Sequence, residues 1–142
     1  MTSAEPRKLS TRTKARKRAL DILFEADLRQ LSATEVLAAH TEQSEPPVRP
    51  FTAELVSGVV SNLSYLDALV ASHLPSGWIL ERMPRVDRNL ARLATYELTQ
   101  TQMDAAIVLA ECLTLAGELS TDESPAFLNG VLGAVAREVR PS

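Results

Sequence analysis

The chain is poor in sulfur and in aromatic rings. Cys112 is the single cysteine among 142 residues, which excludes an internal disulfide framework and fits a reducing cytosol. Aromatic residues make up 4% of the chain and apolar residues 45%. With Leu, Ala and Val dominant, helices are expected rather than a sandwich or barrel, whose strands favour β-branched and aromatic alternation. No apolar run approaches the length of about 18 residues that a membrane span needs. The opening MTSAEPRKLS carries no apolar signal core, so neither a span nor a signal peptide is expected. Catalytic signatures are missing too. There is no glycine-rich phosphate loop and no nucleophile elbow. His40 and His73 stand apart from any Cys or His at ligand spacing, which argues against zinc. Cys112 falls among Leu109, Leu113 and Ala116, as a small buried hydrophobe would. The carboxylates are scattered, with no pair placed for acid–base work. The expectation is a non-enzymatic protein without metal or cofactor.

Positive charge is distributed very unevenly. No lysine follows residue 17, although the chain as a whole carries −3. Between Arg7 and Arg18 lie Arg7, Lys8, Arg12, Lys14, Arg16, Lys17 and Arg18, with no acid among them. These seven of the fifteen basic residues leave eight to face eighteen acids, so the rest of the chain carries −10. A basic arm on an acidic body points to a nucleic-acid partner; a merely solubilising tail is the competing reading.

Periodicity organises the rest. Residues 1–10 read as a disordered arm with Pro6, and residues 11–142 as one all-α domain. A first helix is expected from Thr11, with Ala15, Ala19, Leu20, Leu23, Phe24, Leu28 and Leu31 at helical spacing. Its first turns hold Lys14, Arg16, Lys17 and Arg18, where positive charge opposes the helix dipole by about 0.3–1 kcal/mol per well-placed charge. An anionic partner would offset that cost. SATE (32–35) reads as a capping box, with Ser32 as N-cap, opening a short helix to Thr41. The three prolines of EPPVRP (45–50) break the chain. One long helix is expected over 51–73, then a turn or two at WILERM and a helix opened by Pro84. TQTQMD reads as a loop, Ala105–Leu119 as an apolar helix, and STDESP as a turn with Ser124 as N-cap and Pro125 at N1. The last helix buries Leu128, Val131, Leu132, Val135 and Val139. Gly130 and Gly133 would sit on it where a neighbouring backbone comes close. Seven helices and no strand are expected.

Three binding signals emerge. The basic tract can neutralise phosphates. Arg85, Arg88 and Arg92 share one helix face, although Glu81 and Asp87 are near enough to pair with them as an ordinary solvated surface. Phe127 lies one position off the main apolar stripe of the last helix. It is either core or a ring on which a base stacks.

Three blocks together resemble the NusB family of bacterial transcription antitermination factors: RTKARKRALDILFEAD, WILERMPRVDRNLARLATYEL and VLAECLTLAGELSTDESPAFLNGVLG. They occur in the family's order and span most of the chain, with the last block spelled as in actinobacterial members. The resemblance implies an all-α fold of about seven helices in two helical subdomains, and it makes Asn129-Gly130 helical rather than a hairpin turn. It implies recognition of the single-stranded boxA element of ribosomal RNA operon leaders. The implied partners are NusE, a small-subunit ribosomal protein, and the elongating RNA polymerase with other Nus factors, in the cytoplasm and away from membranes. A homodimer is compatible with it.

By position, the resemblance places an RNA surface on Arg12, Lys14, Arg16, Lys17, Arg18, Glu123, Phe127 and Asn129, and a NusE-facing surface on Asp87, Arg88 and Arg92. Thr13 stands where some members have Arg, and Gly117 where a basic residue is usual. An alternative is a NusB-like RNA-binding or oligomerisation module that serves a separate ribosomal RNA-modifying enzyme.

Overall fold

The computed structural model describes residues 10–43 and 45–141. Among them are seven α-helices and no strand: α1 (Thr11–Arg29), α2 (Ala33–Gln43), α3 (Pro50–Ser61), α4 (Leu63–Ala71), α5 (Arg85–Gln100), α6 (Ala105–Leu119) and α7 (Ser124–Val139). A 3-10 turn, Leu80–Arg82, precedes α5. Helices α1, α2 and α3 pack on one another, as do α5, α6 and α7. Helix α5 joins the two groups, because it also lies against α1, α3 and α4. That central position explains why α5 buries polar residues (Asp87, Asn89, Thr95 and Glu97) along with Leu90, Leu93 and Leu98.

Most of the expected arm, residues 1–9, lies outside the described residues. Ser10 is the N-cap of α1, its hydroxyl accepting the Thr13 N–H at 3.0 Å. Helix α1 buries Ala15, Ala19, Leu20, Ile22, Leu23 and Ala26. It stops at Arg29 because Gln30 turns left-handed (φ 56°), and Leu31 N–H closes on the Ala26 carbonyl at 3.0 Å. Leu28 and Leu31, expected on the buried stripe, are exposed. Ser32 caps α2 as its sequence suggested, accepting the Glu35 N–H at 3.0 Å.

Three local expectations are corrected. The long helix over 51–73 is two helices broken at Asn62, whose side-chain amide takes the Gly58 carbonyl at 2.8 Å in competition with the backbone ladder. WILERM supplies one turn, of the 3-10 kind, as expected. Ser124 is the first residue of α7 rather than its cap, and its hydroxyl is committed to Asp87. A Cβ built on Gly130 would meet nothing within 4 Å, and one on Gly133 only the end of the Arg137 side chain at 3.4 Å. The close approach lies at Gly58 instead, where any Cβ would collide with the Tyr96 ring.

Candidate nucleic-acid interface

Helix α1 divides its positive charges between two environments. Arg12 and Lys14 are exposed, and Lys17 is half-exposed. Among the described residues no carboxylate pairs with Arg12: its guanidinium lies over the Phe51 ring at 5.0 Å and reaches the Met103 sulfur at 3.7 Å. Lys14 makes no side-chain hydrogen bond or ion pair among the described residues. Arg18 is half-buried, donating to His40 Nδ1 at 3.2 Å and to the Pro46 carbonyl at 3.4 Å.

Arg16 corrects the sequence expectation of a surface residue. It is 5% exposed and donates to both Glu97 oxygens, at 2.9 and 2.8 Å, and to Glu111 at 3.3 Å. Burial works against its charge, but the bonds and charges of Glu97 and Glu111 outweigh it, so the guanidinium pKa is held above its ordinary value. Thr13 also donates to Glu111. Arg16 and Thr13 thus fasten the start of α1 to α5 and α6, and this leaves Arg12 and Lys14 facing outward. On the far side, Arg140 donates to the carbonyls of Leu98, Glu97 and Thr101 at 2.9, 3.3 and 3.0 Å, capping the C-terminus of α5. No local pattern in the sequence marks that cap.

Asp87 is the second correction. It is only 3% exposed, and it accepts from the hydroxyls of Ser120 at 2.6 Å and Ser124 at 2.8 Å, tying α5 to the turn before α7. It therefore does not stand on an outer surface. Arg88 and Arg92 do share a face, but their partners are neither Glu81 nor Asp87 carboxylates. Arg88 pairs with Asp27 at 2.9 Å, and Arg92 grips Asp67 with two bonds of 2.7 and 2.9 Å. The Asp27 pKa is held low: burial alone would raise it, but Arg88, Asn89 and Arg92 outweigh burial. Beside this face runs a groove of about 490 Å³ floored by Leu23, Val59 and Leu63 and rimmed by Arg85 and Arg92.

At the start of α7, Glu123 and Asn129 are exposed and Phe127 is half-buried. The Phe127 ring packs against Trp78 with centroids 4.9 Å apart and planes tilted 45°. Phe127 thus belongs partly to the core and partly to an open aromatic wall. Trp78, 45% exposed, is a neighbour that helical periodicity did not single out. Among the described residues no group of three His, Cys, Asp or Glu side chains could hold a metal ion, and no helix is long and apolar enough to cross a membrane.

The sequence profile of the NusB family matches residues 13–137, most of the described chain. The chain belongs to the NusB family. Transcription antitermination protein NusB of Salinispora arenicola is 51% identical over 133 residues, covering 90% of this chain and 96% of that protein. Among solved structures, T. maritima NusB superposes with a TM-score of 0.82 at 28% identity, covering 92% of this chain and 94% of that one. A chain from the crystal structure of antitermination factors NusB and NusE in complex with dsRNA has a TM-score of 0.76 at 24% identity, covering 89% of this chain and 96% of that one, a likeness of fold. The all-α NusB-like architecture expected from the sequence is the one observed.

Proposed function

We propose that this NusB-family chain is a transcription antitermination factor that acts by binding, in the cytoplasm and without catalysis. In this reading it recognises boxA RNA of ribosomal RNA operon leaders together with NusE and joins the elongating RNA polymerase with the other Nus factors. The carrying observation is the exposed positive charge at the N-terminus of α1: among the described residues Arg12 and Lys14 have no carboxylate partner, at the helix end where the dipole disfavours cations. RNA phosphates would supply the missing counter-charge. Arg12, Lys14 and Lys17 form the phosphate-binding side, with Arg18 at its edge; Glu123, Phe127 and Asn129 at the start of α7 meet the bases. Arg16 acts from within by holding α1 in place. The face of Arg88 and Arg92, with the apolar groove beside it, is the side offered to NusE.

A mobility-shift series tests this, using boxA RNA and a scrambled RNA, with and without NusE, over a range of salt. Preferential boxA binding that NusE strengthens and salt weakens steeply is the expected result. Equal binding to both RNAs in the presence of NusE would leave only electrostatics and overturn the specific reading.

A further inference from the structure

Along α1, Lys14, Arg18, Asp21 and Glu25 follow one another at intervals of three and four, so they form one stripe. The sign of the stripe reverses after Arg18. A strand of RNA that follows Lys14 therefore meets one further cation and then two carboxylates. His40, in the last turn of α2, bridges the reversal. Arg18 Nε donates to His40 Nδ1 at 3.2 Å, and His40 Nε2 lies 2.9 Å from Glu25 Oε1. Arg29 donates to the other Glu25 oxygen at 2.7 Å. Beside the bridge lies an open pocket of about 300 Å³ lined by Arg18, His40, Gln43 and Glu45.

The roles in this bridge are fixed from both ends. A guanidinium can only donate, so His40 Nδ1 carries no hydrogen. Hydrogen bonds from His40 and then Arg29 hold the Glu25 carboxyl below its ordinary range, so Glu25 accepts and Nε2 carries the hydrogen. The bridge is thus built on a neutral imidazole. A second proton would set an N–H of His40 against the Arg18 N–H and place two like charges side by side. That bond could not persist, whereas the bond to Glu25 would become an ion pair. Arg18 would keep only its longer contact with the Pro46 carbonyl, at 3.4 Å. The surroundings act in both directions. Glu25 and Asp21 of α1, Glu42 two residues on in α2, Glu45 across the pocket and the α2 dipole favour the proton; Lys17 and Arg18 oppose it. Glu54, the only charged residue of α3, lies instead beside Tyr96 and Arg12.

We infer that His40 is a positioning residue for RNA binding: neutral, it keeps Arg18 turned toward α2, and protonated, it releases the Arg18 guanidinium to an RNA phosphate beyond Lys14. The inference rests on the RNA reading above and adds to it a residue, His40, and a direction. The protonated form binds RNA more tightly, so binding takes up a proton, and affinity rises as pH falls through the range in which imidazoles change charge. Arg18 then extends the phosphate track by one helical turn from Lys14. With His40 neutral, the track ends before the stripe changes sign.

The chain has two histidines, so each can be tested in turn. Mobility shifts with boxA RNA at constant salt, from about pH 8 to about pH 6, give the profile. Calorimetry in two buffers of different ionisation enthalpy reads proton uptake. Binding is expected to tighten about three- to fivefold toward the lower pH, with net proton uptake. His40→Gln should flatten the profile, and His73→Gln should leave it as it is. Arg18→Ala should weaken binding more at the lower pH than at the higher, whereas Lys14→Ala should weaken it equally at both. A merely structural His40 would change the urea midpoint and the level of binding but not the shape of the profile. A flat wild-type profile would overturn the inference, as would one lost in His73→Gln or an Arg18→Ala penalty independent of pH. In each case a salt slope still lowered by Lys14→Ala would leave the RNA reading standing. Absence of boxA binding at every pH would sink both. Ring nitrogen chemical shifts of His40 test the bridge without RNA: a hydrogen on Nδ1 at about pH 8 would also overturn it.

Discussion

Arg16 holds Glu97 through both arms of its guanidinium, at 2.9 and 2.8 Å, with both residues almost fully out of solvent. Two positions earlier on the same helix, Lys14 stands in solvent. A step of two residues turns a helix by about 200°, so one basic tract serves two opposite faces.

The two residues should therefore behave differently when removed. Arg16→Ala leaves Glu97 buried and unpaired, and a loss of about 3–5 kcal/mol in unfolding free energy is expected. Arg16→Lys should recover only part of it, since an ammonium cannot make the two parallel bonds. Lys14→Ala should leave the unfolding midpoint where it is and lower the salt slope of RNA binding. Urea unfolding and mobility shifts on the same proteins check both. An Arg16→Ala protein of native stability that has lost RNA binding would return Arg16 to the RNA surface.

The glycines provide a second contrast. Gly58→Ala gains about 1 kcal/mol of helix propensity but drives a methyl group into the buried Tyr96 ring. Overpacking of that kind costs about 1–3 kcal/mol, so a net fall in thermal midpoint is expected. Gly130→Ala meets open space and should raise stability by up to about 1 kcal/mol. Calorimetry of the two variants would show opposite shifts; a stabilised Gly58→Ala protein would mean that Tyr96 moves freely.

Acid sensitivity should trace in part to Asp27. Its pKa is lowered in the folded protein because Arg88, Asn89 and Arg92 together outweigh burial. A lowered folded-state pKa stabilises the fold at pH values above the ordinary carboxylate range. That contribution fades as pH falls through the range, from about pH 4 downward. Asp27→Asn should be less stable at neutral pH and lose less on acidification. Urea midpoints measured from neutral pH to about pH 2 would reveal the difference, and parallel curves for both proteins would count against the Asp27 contribution.

Cys112 should be inert while the protein is folded. Burial, then the charges of Asp87 and Glu97, push its thiol up to about 12, and its sulfur lies 3.9 Å from the Leu90 carbonyl. An aromatic disulfide reagent at mildly alkaline pH should therefore label it only as fast as the chain opens. Rapid stoichiometric labelling of the native protein would show an accessible thiol.

Much of the architecture follows from local chemistry. Apolar spacing, the Ser32 cap and the prolines at 46, 47 and 50 delimit α1, α2 and the start of α3, and Ala105–Leu119 begins and ends where its apolar run does. The break at Asn62 was not legible there, because the apolar rhythm continues through it and only the side-chain bond to Gly58 reveals it.

The sequence by itself determined that this is an all-helical protein with a basic tract at its first helix, and its three motif blocks determined the family. Tertiary structure alone decided which charges of that tract face out. Periodicity relates the positions on one helix to each other, but it carries no information about a partner on another helix. Glu97 and Glu111 lie 81 and 95 residues from Arg16, and Asp87 meets hydroxyls 33 and 37 residues away. A charged residue can be buried only where such partners compensate its desolvation. That compensation exists only once α5, α6 and α7 have packed around it.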